Sequence, residues 1–488
     1  MKTLIQTAMA STPFGVAVRL VAAGALIAAV VLFSGASGAA PGAQASSAGA
    51  VTVIASWTGT NPGTEGYDFQ QVLSRFTDTT GIAVRYTGTR ALDQLLQSDI
   101  QQGSPPDLAI LPSPGELLQL ERQGYLYPLG KVLNERKVAA AYGPQWLRIM
   151  ELGTGQLYTL PVKTDLQNLV WYDPQDWPAG SMPGRTAPTS WSQLVALEQR
   201  AAAGGSAAWC LGLDSPPSSG WPATDWIGNI LLAQSGTSVY ESWANGNLSW
   251  ESPQVKQAWQ TWGRLVAGQG QLYGGSTAAL ISPWPGPGAA NDENPLFTPA
   301  PGCYLQNAAS FITLEYQQTP NAQRPGKGYD FFPFPSAGLP DEPPNAVNDA
   351  WEVSADLLAM FRSTPAADLP DTERLVEFLA SEQAQRIWPQ IPGGGASSAD
   401  SQVPPSAYPD QVGQAVARII TNPSSVLCFN ASDAMPATLQ SAFYQAVMEY
   451  LQDTSQLTGI LKRLDQVRLA TYRAFPGGHP DFSCGPGS

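Results

Sequence analysis

VTVIASWTGTNPGTEGYDFQQVLSRFTDTTGIAVRYTG, residues 51–88, contains the alternation that decides the fold. Val51–Trp57 is an apolar run of strand length. In DFQQVLSRFTDTTG (68–81), Phe69, Val72, Leu73 and Phe76 fall on one helical face, with Asp68 read as the cap and Gly81 as the stop. Ile82, Val84 and Tyr86 then alternate as on a half-buried strand. The pattern continues with ALDQLLQSDIQQG (91–103) as a helix, PPDLAILP (105–112) as a strand and GELLQLERQG (115–124) as a helix. Repeated strand–helix units require crossover connections, hence a parallel sheet and an α/β fold. In open α/β sheets ligands bind beyond the carboxyl ends of the strands. Those ends bring Trp57, Glu65 in the following loop, Arg90 and Ser113 to one edge.

Further along, Ser190 with Gln193 opens a helix as a capping box, and Ser252–Pro253 opens another. Val255, Trp259, Trp262 and Val266 recur at helical spacing and read as core. NAASFITLE (307–315) and GYDFFPFP (328–335) read as strands, DTERLVEFLASEQAQRIW (371–388) as one helix capped near Asp371, and PGGGASSADSQVPP (392–405) as a break. Two helices close the chain, one around ATLQSAFYQAVMEYLQD (437–453) and one from Ser455 onward.

The 488-residue chain has material for two or three domains. Only 13% of its residues are charged, while 43 prolines and 15 tryptophans point to a rigid, loop-rich globule. A net charge of −14 argues against nucleic acid or an anionic membrane surface as partner. Lys2 and Arg19 flank an apolar stretch, Leu20–Phe33, followed by small residues and an A-x-A site at Ala43–Ala45. This reads as a signal peptide, residues 1–45 with the linker, or as an uncleaved anchor, and places the body outside the cytoplasm, secreted or tethered. Cys210, Cys303, Cys428 and Cys484 form an even set for an oxidising compartment. Of three pairings, Cys210–Cys303 with Cys428–Cys484 is the expectation. No metal or cofactor is expected, since no C-x-x-C occurs and the one histidine, His479, lies in a Pro/Gly tail, where it reads as a solvated loop residue.

That single histidine also removes Ser-His-Asp and Cys-His catalysis, and no nucleophile elbow or Walker loop is present. Two-carboxylate glycoside hydrolysis requires only a pair of acids, for which Glu65 and Asp225 are candidates. The remaining signal is aromatic residues beside short polar groups. Trp57, Trp221, Trp226 and Trp284 sit in Gly/Pro-rich stretches without helical periodicity; SSGWPATDWIGN (218–229) holds two of them around Asp225. Each indole suits either a core or a pocket that stacks on a sugar ring while carboxylates and guanidinium bind its hydroxyls.

VLSRFTDTTGIAVRYTGTRAL (72–92), GSPPDLAILPSPGELLQL (103–120), SSGWPATDWI (218–227), GCYLQNAASFI (302–312) and ASDAMPATLQSAFYQAV (431–447) together resemble the extracellular solute-binding proteins of bacterial carbohydrate ABC importers, the maltose-binding-protein-like group, and within it the actinobacterial α-glucoside binders. The resemblance spans essentially the whole chain after the linker. It implies a two-lobed clamshell in which each lobe is a mixed or parallel sheet flanked by helices. The first lobe would be 51–161 plus 332–392, the second 162–331 plus 393–475, and 476–488 a tail; both disulfides would then lie within the second lobe. It implies ligand contacts at Trp57, Glu65, Arg90, Ser113, Trp221, Asp225, Trp226, Trp284, Asp433 and Tyr444. Tyr444 falls where that group has an aromatic sugar platform. The segment PSP (112–114) departs from the polar one usual after the third strand, and no cysteine follows the apolar leader for lipid attachment. The implied function is non-catalytic: a monomer captures a neutral α-glucoside or oligosaccharide and passes it to permease subunits coupled to an ATPase. A secreted glycoside hydrolase and a membrane-anchored sugar sensor are the alternatives.

Overall fold

The computed structural model describes residues 49–176, 187–286, 294–320, 322, 325–335, 350–475 and 479–485. The leader, its cleavage site at 43–45 and part of the tail lie outside the described residues. The opening alternation folds as its pattern requires. Strands β1 (Val51–Ala55), β2 (Val84–Gly88) and β3 (Leu108–Leu111) are parallel, with β1 in the centre. Helices α1 (Glu65–Thr80), α2 (Leu92–Gln101) and α3 (Pro114–Arg122) make the crossovers and the following connection. Gly81 ends α1 in the left-handed region, φ 74°, its N–H donating to the Thr77 carbonyl. Asp68 is not the cap: α1 begins at Glu65, and Asp68 is buried in its first turn, where the helix dipole favours a carboxylate.

The remaining strands are β4 (Leu126–Tyr127), β5 (Thr159–Leu166), β6 (Leu169–Tyr172), β7 (Ala207–Trp209), β8 (Cys303–Asn307), β9 (Asp330–Pro333), β10 (Ala350–Phe361) and β11 (Val426–Phe429). They divide between two sheets. The larger has the order β11-β10-β3-β1-β2, with β4 and β5 also paired to β10; the smaller has the order β7-β8-β6-β9. Both are mixed: β10 runs antiparallel to β3 and β5, and β6 antiparallel to β8 and β9. The long strand β10 is the one element of the larger sheet's centre that the sequence reading did not anticipate.

The chain changes sheet between Leu166 and Leu169, slightly later than the expected boundary after residue 161. Gln167 and Asn168 span the change and are pinned to β10, since Gln167 N–H donates to the Glu352 carbonyl and Glu352 N–H to Asn168 Oδ1. A second change falls between Pro333 and Ala350. β11 pairs with β10, which puts residues 426–429 with the larger sheet, whereas the expectation grouped them with the second lobe.

Around the sheets lie α4 (Glu135–Met150), α5 (Trp191–Ala203), α6 (Trp221–Ala244), α7 (Pro253–Val266), α8 (Gly275–Ile281), α9 (Thr313–Gln318), α10 (Leu369–Leu379), α11 (Glu382–Ile387), α12 (Gln411–Thr421), α13 (Ala431–Ala434), α14 (Ala437–Gln452) and α15 (Leu457–Ala474). Ser190 and Ser252 cap α5 and α7 through the N–H groups of Gln193 and Val255. The expected strand over 307–315 is instead the end of β8, a 3-10 turn at Ser310–Ile312 and α9. The expected helix over 371–388 is two helices, because Ser381 leaves helical geometry to cap α11. The stretch holding Trp221 and Trp226 is no turn: it opens α6, with Pro222 in the first turn and Gly236 (φ 74°) interrupting the helix further on. Trp259 and Trp262 of α7 pack on Tyr450 of α14 as core.

Cys210–Cys303 and Cys428–Cys484 are both formed. The first joins the segment after β7 to β8, within the smaller sheet's surroundings. The second joins β11 of the larger sheet to the tail, which crosses α6 through Phe482 on Asn245 and Cys484 N–H on Glu241 Oε1. His479 belongs to this strap and is not simply solvated: its ring stacks on Tyr472 at 4.0 Å and Nδ1 contacts the Asn245 carbonyl.

Candidate functional site

The carboxyl ends of β1, β2 and β3 open on a cleft with a cavity volume of about 410 Å3, within the usual range of small-molecule sites. Trp57, Glu65, Arg90 and Ser113 all line it, as the topology requires. Trp57 has only 2% of its surface exposed, its indole edge-on to Phe69 and Trp388 at 4.9 and 4.7 Å. Gly88 sits so close to the Trp57 carbonyl that a Cβ there would approach it to 2.0 Å. Ser113 caps α3 by accepting from Glu116 N–H, and its hydroxyl donates to the Asp433 carbonyl.

A buried ion cluster dominates this wall. Lys163 of β5, 3% exposed, places Nζ 2.7 Å from Glu65 Oε1, 3.5 Å from Asp165 Oδ2 and 3.9 Å from Asp356 Oδ2 of β10. The Phe311 ring lies 4.6 Å from the same ammonium. Burial works to discharge Lys163, but Asp165, Glu65 and Asp356 outweigh it and hold its pKa above the ordinary value. Burial also pushes Asp165 up to about 7 and Asp356 to about 6, each restrained by Lys163. Ser310 Oγ donates to Asp165 Oδ1 and fixes that carboxylate.

Aromatic rings continue the lining from Phe311. Trp221, at the head of α6, Trp284 and Phe311 make a half-exposed triad, with centroids 5.3, 6.0 and 5.3 Å apart for 221–284, 221–311 and 284–311. Gly220, at φ 103°, brings α6 against the Tyr444 carbonyl, where a Cβ would approach to 2.2 Å. Asp225, Asp433 and Tyr444 line the adjoining part of the cleft. Asp225 Oδ1 accepts from Asn430 Nδ2 at 2.8 Å, and Asp433 Oδ1 accepts from Gln440.

Trp226 is the one expected ligand contact that the structure keeps from the cleft. Its indole is fully buried on another face of α6, 4.5 Å from Trp209 and 6.3 Å from Phe334, and serves the core. The reading of a loop indole fails because the segment is a helix: residues 221 and 225 look into the cleft while 226, turned away, points into the packing. Conversely, Lys163, Asp165, Asp356 and Phe311 were not singled out from the sequence. A signal existed in TLPVKTDL (159–166), where Lys163 and Asp165 alternate within a run that is otherwise apolar or small and buried.

Burial raises the Asp225 carboxyl from 3.8 to about 7, partly offset by the Asn430 hydrogen bond. A carboxyl raised on folding binds its proton more tightly in the folded chain. Its share of stability is therefore complete below about pH 3.8 and lost as pH rises towards about 7. The difference in urea midpoint between wild type and Asp225→Asn should accordingly grow across that interval in favour of the variant. A pH-independent difference would contradict the burial of an ionisable Asp225.

The cleft is thus lined by aromatic rings, carboxylates and amides, and among the described residues no group of three or more histidine, cysteine or acidic side chains could hold a metal ion. Residues 60–386 match the family described as bacterial extracellular solute-binding protein, and the chain belongs to that family. The chain is 29% identical to the osmoprotective compounds-binding protein GgtB of Synechocystis sp. over 401 residues, covering 81% of this chain and 88% of that one. It is 28% identical to the alpha-glucosides-binding periplasmic protein AglE of Rhizobium meliloti over 428 residues, 86% of this chain and 87% of that one. Among solved structures it resembles a chitin oligosaccharide binding protein (TM-score 0.70, 15% identity, 86% and 98% covered) and a maltose-bound MalE3 of T. maritima (TM-score 0.64, 14% identity, 86% and 99% covered). The fold is the two-lobed periplasmic-binding-protein fold, and membership of a solute-binding family sets aside the hydrolase alternative.

Proposed function

We propose that the protein captures a neutral α-glucoside or oligosaccharide outside the cytoplasm, as a monomer, and delivers it to the permease subunits of an ABC importer energised by a cytoplasmic ATPase. The observation that carries this reading is the half-exposed Trp221–Trp284–Phe311 triad lining one cleft with the Lys163 carboxylate cluster, which it meets at Phe311. Rings cover the apolar faces of a sugar while ionised and amide groups take its hydroxyl rim. The names of GgtB and AglE, binders of osmoprotective compounds and of alpha-glucosides, support an osmoprotectant or α-glucoside ligand. In this proposal the lobes divide where the chain changes sheet, at 167–168 and between 333 and 350, close to the divisions after 161 and before 332 that the resemblance implies, with the two-residue link at 167–168 acting as a hinge. Sugar bound by one lobe gains contacts to the other on closure, so its differential affinity shifts the open–closed balance.

A thermal-shift series with α-linked di- and oligosaccharides tests the reading, because a ligand of the folded state alone raises Tm. Trp221→Ala and Arg90→Ala should each weaken the best ligand about 10- to 30-fold, ~1.4–2 kcal/mol, with unfolding transitions close to wild type. Unchanged affinity in both variants would remove the cleft assignment.

A further inference from the structure

We propose that the part of the cleft bounded by Asp225, Asp433 and Tyr444 seats a protonated amine, so that an α-linked glucoside bearing an amino group binds in preference to its neutral parent, and a uronate is refused. This rests on the sugar-capture reading and sharpens the charge of its ligand. Arg90 and Lys163 are the only bases lining the cavity among the described residues. Lys163 is enclosed by Glu65, Asp165 and Asp356, and Arg90 acts on Asp356. Nothing basic remains for the other end. Among the described residues no lysine or arginine lies within ion-pair distance of Asp225, Asp433, Asp93 or Glu116.

The geometry shows where the missing charge belongs. Asp225 is 4% exposed, and Asn430 occupies only its Oδ1. The Asn430 amide cannot be turned, because its own oxygen caps α13 by accepting from the N–H groups of Ser432 and Asp433. Asp225 Oδ2 accepts no hydrogen bond from the described residues, and Asp225 lines the cavity. Tyr444 lines the cavity together with Asp225, Asp433 and Asp93, and burial, followed by these acids, holds its hydroxyl well above the usual tyrosine range. Ring face plus carboxylate is the arrangement that recognises an ammonium. With burial holding the Asp225 carboxyl at about 7, a neutral hydroxyl leaves it divided between its protonated and ionised forms, an ammonium draws it to the carboxylate, and an anionic sugar opposes that ionisation.

Isothermal calorimetry at neutral pH with one α-linked glucose disaccharide, its mono-amino congeners and its uronic acid congener tests the proposal on wild type and Asp225→Asn. One amino congener should bind the wild type about tenfold more tightly than the parent, as a charge-assisted hydrogen bond replaces a neutral one, while the uronate gives no heat. In Asp225→Asn that preference should vanish while the parent's affinity changes much less, with thermal unfolding of the variant confirming that it folds. Parent binding that equals or exceeds every amino congener overturns the amine site and leaves sugar capture standing. An amine preference that survives Asp225→Asn overturns the assignment to Asp225. Silence from all of the sugars overturns both the amine site and the reading on which it rests.

Discussion

Replacing Lys163 by methionine should abolish sugar binding and cost about 3–5 kcal/mol of unfolding free energy, the usual penalty for stripping one partner from a buried ion cluster. Methionine preserves most of the side-chain length, so the loss is electrostatic rather than steric. In wild type one ammonium, 3% exposed, lies within 4 Å of carboxylates from three elements: Glu65 of α1, Asp165 of β5 and Asp356 of β10. Without it, three desolvated acids face one another. They either take up protons or draw in water, and both distort the wall on which the ligand rests. Urea unfolding with calorimetry on the same samples checks the result. The double variant Lys163→Met/Asp356→Asn should recover part of the lost stability, because one uncompensated charge is gone. If Lys163→Met alone unfolds at the wild-type midpoint, the cluster contributes nothing to the fold.

Trp226→Ala should cost a similar ~3–5 kcal/mol, the range for removing a large buried aromatic, yet leave the affinity of the folded fraction within about twofold of wild type. This reverses the expectation from its sequence neighbourhood, which groups it with Trp221 as a ligand contact. The two indoles open the same helix but serve different surroundings: Trp221 meets Trp284 and Phe311 at the cleft, and Trp226 meets Trp209 and Phe334 in the interior. Comparing urea midpoints and ligand affinities for Trp221→Ala and Trp226→Ala separates the roles directly. A Trp226→Ala protein of normal stability and weakened affinity would put that indole back in the pocket.

The contrast explains which features could be read from sequence. The alternation of 51–124 was legible because each helix is amphipathic, and Gly81 and Gly124 punctuate it. Its topology then brought Trp57, Glu65, Arg90 and Ser113 to the cleft with no motif required. The start of α6 was not legible, because Pro222 through Gln234 are buried on every side. A helix apolar all round has no periodic signal, so Gly220 and Pro222 made it look like a turn. β10 was hidden for the opposite reason. Glu352, Ser354 and Asp356 alternate in AWEVSADLLAMF as polar residues do on a solvent-facing strand, yet all three are buried or line the cleft. Their partners come from distant segments: Tyr240 bonds Glu352, Gln167 bonds Ser354 and Lys163 faces Asp356. No local window contains that information. The disulfide pairing follows from an even cysteine count only to three alternatives, and the fold selects one.

The placement of β10 also governs the order in which the molecule can assemble. Leu108–Leu111 finds β1 at once but meets its second neighbour only at Leu357–Met360, and β5 likewise depends on β10. Until the ribosome has reached that strand, the larger sheet has an open edge at β3 and lacks the partner of β4 and β5. Pairing over such separations is slow, because a long loop must close before any contact rewards it. A nascent chain that cannot lock its main sheet early remains threadable, which suits a polypeptide bound for export. The same delay leaves a bare strand edge available to neighbouring copies when the protein is refolded at high concentration.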